Sequence, residues 1–170
     1  MTHRDNAGYP LAGATHEGLA HFETASHEFR CSIGDPLASI EAALSAAPRM
    51  PMAHVLKAYL HLLGTEPAAL SVARQCHELA AGLAASERER GHVEAVRLLA
   101  EGRWRAAGRT LEDVSIAYPC DALALQAGHQ IDLVRGDSRM LRDRIARALP
   151  VWNQSILGYH AVLGMHAFGL

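Results

Sequence analysis

The stretch "RGHVEAVRLLAEGRWRAA" (residues 90–107) holds two helix-length runs divided by a single glycine, Gly102. Alanine and leucine dominate it, which favours helix. Just upstream, "SERE" (86–89) is a capping box: Ser86 can accept from an orphan amide, and Glu89 can reach back to the cap. A second stretch, "MAHVLKAYLHLLGTEPAA" (52–69), aligns with it. In both, a histidine is followed ten residues later by glycine and five after that by alanine: His54, Gly64, Ala69 and His92, Gly102, Ala107. A shorter copy, "AGHQIDLVRGDSRML" (127–141), carries His129 and Gly136, with Leu141 in the alanine's place. The segment "LGMHAFGL" (163–170) opens the same way, with His166.

The spacing has a mechanical sense. A glycine turns the chain, an alanine lets two helices approach, and a proline such as Pro119 ends the second helix. This is the layout of a tetratricopeptide-type helix pair. The same punctuation, with "GDP" at 34–36 and Pro150, cuts the chain into helices at 14–30, 36–47, 51–63, 66–84, 87–101, 103–117, 121–135, 137–148 and 155–170. Short connections make neighbours antiparallel. The expected fold is all-α, a right-handed α-solenoid of antiparallel helix pairs over residues 14–170, preceded by an irregular arm at 1–13.

The 170 residues suffice for one domain with a sizeable core. Hydrophobic residues are 49% and charged residues 20%, with a formal net charge of −2, so nothing favours nucleic acid or an anionic membrane. Lys57 is the single lysine. The three cysteines, Cys31, Cys76 and Cys120, form no CxxC pair, which argues against a zinc ribbon or a thioredoxin-type centre. The start has no apolar run of a signal peptide, and the expected location is a reducing cytoplasm. Phosphate loops, GxSxG and HExxH are all missing.

His54, His92, His129 and His166 recur at intervals of 38, 37 and 37 residues. In the tetratricopeptide frame each takes the fifth position of a first helix, which faces a concave groove. Neighbouring helices pack ~8–10 Å apart, so four imidazoles would climb that groove as a ladder. Glu89 precedes His92 by three residues and Asp132 follows His129 by three, each placed to orient its imidazole. The plain alternative is neutral packing histidines, with carboxylates that make ordinary helix-surface pairs.

The chain also resembles a known family. "GDPLASIEAALSAAPRMPMAHVLKAYLHLLG" (34–64), "SERERGHVEAVRLLAEGRWRAAGRTLEDVSIAYPCDALALQAGHQIDLVRGD" (86–137) and "ALPVWNQSILGYHAVLGMHAFGL" (148–170) are similar to successive blocks of the tetratricopeptide repeat protein 38 family, most tellingly at "RERGHVEAV" and "GMHAFGL". The resemblance implies an all-helical superhelix and brings no established reaction. Lys57 and Asp132 depart from the small residue the generic repeat expects. Family members are longer, so residues 14–170 are expected to be the first part of a solenoid.

Two functions follow as expectations. One is a scaffold that binds a peptide or small ligand through His54, His92, His129, His166, Asp132 and Glu89, weakening as pH falls through ~6.5 if neutral rings accept from the ligand. The other is an enzyme that uses the same groove for acid–base chemistry or a transition metal, with His92, His129 and His166 as candidate ligands. Homo-oligomerisation, or completion by a C-terminal half, is the expected association.

Overall fold

The structure, a computed structural model, describes residues 2–170. Its helices are α1 (His16–Cys31), α2 (Pro36–Ala46), α3 (Pro51–Leu62), α4 (Leu70–Ala81), α5 (Glu87–Ala100), α6 (Trp104–Ala117), α7 (Ala122–Val134), α8 (Ser138–Ala148) and α9 (Tyr159–Gly169). Local chemistry fixes most of their starts. Thr15, Asp35, Ser86, Asp121 and Asp137 each accept a backbone amide of the first turn, and Ser86 and Glu89 form the expected capping box. Each helix packs on the next in sequence order. Contacts between α3 and α5, between α7 and α9, between α1 and α3 and between α6 and α8 join helices two apart in the chain.

The turn glycines differ from one helix connection to the next. Gly102 and Gly136 take left-handed backbone (φ +74° and +66°), which glycine adopts without strain. After α3 the left-handed residue is Thr65 (φ 59°), one position beyond Gly64. Ala107 is fully buried, as its close-packing role requires. Ala69 ends a 3₁₀ turn instead, and Ala73 supplies the buried small residue of α4. One core joins Ile40, Leu56, Val96, Leu111 and Ile131, and a second joins Leu125, Ile145, Trp152, Val162 and Met165.

The arm at 1–13 departs from the irregular segment expected. Among the described residues it forms a hairpin of β1 (His3–Arg4) and β2 (Pro10–Leu11), closed by Asp5, whose Oδ1 accepts from the amides of Ala7 and Tyr9. Two two-residue strands do not stand alone in water. This hairpin is held from outside. Asp5 lies 2.8 Å from the Arg88 guanidinium of α5, the Ala12 amide donates to Glu89, and the Tyr9 hydroxyl accepts from the Cys120 amide. Beyond it, α1 packs against α2, α3 and α7, and its C-terminal end reaches α9. Residues 2–31 therefore lie across the odd-numbered helices, the side on which the histidine ladder was placed.

No described helix is long and apolar enough to cross a membrane.

Candidate ligand-binding site

The structure does not gather the four histidines of the ladder into one groove. His54 is buried, and its Nε2–H donates to the Pro48 carbonyl (2.9 Å). His92 is sealed completely. His129 is buried with its Nε2–H donating to the Met165 carbonyl of α9 (3.1 Å), and His166 is half-buried on α9. In three of the four, one ring nitrogen is already bound to a different protein acceptor. The metal candidates His92, His129 and His166 do not converge, and no described group of three or more His, Cys, Asp and Glu side chains is arranged to hold a metal ion.

The carboxylates expected to orient them serve elsewhere. Glu89 caps α5 through Oε2, and its Oε1 accepts from the Ala12 amide, tethering the arm. Asp132 makes a two-bond pair with Arg144 of α8, at 2.7 and 3.1 Å, and Arg144 also donates to the Gly108 carbonyl (3.1 Å). That guanidinium passes so close to α7 that a Cβ at Gly128 would sit 2.7 Å from its central carbon.

Around His92 the polar groups form a closed chain. The Tyr59 hydroxyl lies 3.0 Å from His92 Nδ1. His92 Nε2–H donates to Asp121 Oδ2 (2.9 Å), and Arg88 Nε donates to the same oxygen (2.6 Å). Arg88 then meets Asp5 and covers the Tyr9 ring at 4.8 Å. Burial alone would push the Asp121 carboxyl up; His92 and Arg88 outweigh it and hold it well below the usual carboxylate range. Burial opposes the charge on Arg88 too, and Asp121 and Asp5 more than offset it. Asp5 goes the other way: its desolvation exceeds the help from Arg88, and its pKa rises. Burial holds the Tyr59 phenol strongly protonated. This chain ties the arm, α3, α5 and α7 together, and almost every atom in it is spent.

A different place is not spent. Between α1, α7 and α9 lies a hollow of about 420 Å³, within the ~300–1,000 Å³ usual for small-molecule sites. Gln126 and His129 of α7 line it, with Arg30 and Cys31 of α1 and Met165 and Phe168 of α9. Gln126 is only 7% exposed, yet its Oε1 has no hydrogen-bond partner, and Arg30 Nε is buried and equally without one. Arg30 makes no ion pair among the described residues. Burial lowers its pKa, a cost that Glu23 offsets only in part. Buried polar groups in folded proteins are nearly always paired, and two of the few exceptions among the described residues, the others being on Ser26, Arg88 and Arg144, belong to residues that line this hollow.

His129 contributes a ring whose pKa burial lowers, keeping it neutral near pH 7. With Nε2–H given to Met165, its Nδ1 is the free acceptor. At the rim, Cys31 Sγ lies 3.5 Å from His160 Nε2 and 3.7 Å from His27 Nδ1. Sequence reasoning marked His129 but missed Arg30, Cys31, Gln126 and His160. The only local trace was His27 and Cys31, four apart on one helix face.

No protein-family model matches the chain, and no solved structure matches it. The geometry therefore carries the functional reading.

Proposed function

We propose that the chain is a right-handed, tetratricopeptide-like solenoid of the tetratricopeptide repeat protein 38 kind, and that it is a scaffold that binds a small ligand. The repeat spacing at His54–Ala69 and His92–Ala107, with pairwise stacking of the helices, supports the first half. One observation carries the second: the hollow between α1, α7 and α9, where His129 meets buried polar atoms that have no partner. The ligand site is one hollow rather than the full ladder, because residues 2–31 occupy the rest of that side.

Gly164 gives a direct test. It lines the hollow, and a Cβ there would meet nothing within 4 Å. Gly164→Phe should fill the space without distorting α9. In ¹H–¹⁵N spectra titrated with 1-octanol, amide shifts should centre on Gln126, His129 and Phe168 and vanish in Gly164→Phe. Shifts centred elsewhere, or retained in that variant, would refute the site.

A second reading, an enzyme with an acid–base histidine in the same hollow, is favoured by the 3.5 Å approach of His160 Nε2 to Cys31 Sγ. An imidazole at that distance can take a thiol proton and leave a nucleophile. On this reading iodoacetamide alkylates Cys31 at least tenfold faster than Cys120 at pH 7, and His160→Ala abolishes the difference. Equal rates in the unaltered chain would dispose of it.

A further inference from the structure

We infer that the hollow between α1, α7 and α9 takes a small amphipathic carboxylate, with its charged end on Arg30 and its apolar body against Phe168 and Leu133. This rests on the small-ligand reading above and names the ligand's chemistry.

Arg30 is half-buried, and it is the cation that the fold leaves without an ion pair at this place. A guanidinium is always charged, and burying a charge without a partner is costly enough that proteins seldom do it. Where the same molecule buries guanidinium groups for structure, it pairs them: Arg88 with Asp121 and Asp5, Arg144 with Asp132. Arg30 has Glu23 on its own helix as a distant neighbour, but Glu23 Oε1 is engaged by the Asn6 amide. Inside the hollow the groups beside Arg30 from α7 and α9 are Gln126, Met165 and the backbone at Gly158, where a Cβ would come within 3.1 Å of Arg30 Nε; on its other side Arg30 borders a narrow cleft with Glu23 and Asp121, neither of which pairs with it. That glycine (φ +93°) leaves room for the guanidinium to lie along the start of α9.

The rest of the hollow sets the other half of the ligand. Phe168 is 62% exposed and Leu133 49% exposed on its lip, an apolar surface that an aliphatic or aromatic body would cover. A phosphate monoester brings ~1.5–2 negative charges against the single cation. A carboxylate brings one, in the planar two-oxygen form that a guanidinium matches.

The test compares ligands of one chain length by isothermal titration: sodium octanoate, 1-octanol and octyl phosphate at pH 7. Octanoate should bind the unaltered chain at least tenfold more tightly than octanol and more tightly than octyl phosphate. Arg30→Met, which keeps the apolar stem, should erase the preference over octanol while octanol binding persists. Arg30→Lys should retain part of it. Equal affinity for octanoate and octanol, tighter binding of octyl phosphate, or a preference that survives Arg30→Met would each overturn the carboxylate assignment alone. Failure of all three ligands to bind, or undiminished binding to Gly164→Phe, would overturn the hollow as a site as well. The comparison among ligands on the unaltered chain decides the matter even if Arg30→Met does not fold.

Discussion

Two polar regions of this molecule form where its first 31 residues meet the odd-numbered helices, and they differ in one respect. Around His92, every charge has a countercharge and both ring nitrogens have partners. Around His129, Arg30 makes no ion pair, and its Nε and the Gln126 Oε1 are shut away without a hydrogen-bond partner. The first pattern is what a fold needs to tolerate buried charge. The second exceeds what the fold needs, and a ligand would supply the missing partner.

The contrast makes unequal demands on substitution. Asp121→Ala should be the most damaging change, because it strands Arg88 and His92 in the core and removes the cap of α7. Breaking such a buried pair costs about 3–5 kcal/mol, to be read from urea unfolding. Gly128→Ala comes next. The added methyl must displace Arg144, whose guanidinium is pinned by Asp132 and the Gly108 carbonyl, so a loss of about 1–3 kcal/mol is expected. Arg30→Met should sit at the other extreme. It removes a half-buried charge that makes no ion pair, so unliganded stability should change by less than about 1 kcal/mol or rise. A loss as large as that of Asp121→Ala would show that Arg30 has a structural partner and erase the distinction between the regions.

Acid should separate the two regions as well. The folded His129 pKa lies below its ordinary 6.5, so the unfolded chain binds more protons as pH drops through that value. The stabilisation from the neutral ring is complete above pH 6.5 and is lost as pH falls through the lower folded pKa. Asp121 is also depressed, but from 3.8, so its contribution persists to much lower pH. Thermal unfolding followed from pH 7.5 to pH 5 should show a decline that His129→Gln flattens and that a change at Asp5 leaves in place.

Particular residues show what could be read in advance. The helices were legible because their ends carry local chemistry: Ser86 with Glu89, Asp121, Asp137, and the left-handed Gly102 and Gly136. The start of α9 was set four residues early, at 155, because the turn through Gly158 has no distinctive cap. The four histidines do fall one on each of α3, α5, α7 and α9, but at the fourth, sixth, eighth and eighth positions of those helices rather than at one shared position. Their assignment to an open groove failed because nothing local shows that α1 and the hairpin lie across that side. Asp5 meets Arg88 across 83 positions of sequence, and no short-range pattern encodes such a pairing. For the same reason Glu89 and Asp132, each three residues from a histidine, looked like its partners. A distant amide and a distant arginine claimed them instead.

The difference between the two regions is tested most directly by histidine ring resonances in ¹H–¹⁵N spectra during a titration with sodium octanoate at pH 7. The rings of His129 and His160 should shift with saturation while those of His54 and His92 stay fixed. Movement of His92 on the same curve, or a flat response from His129 and His160, would contradict it.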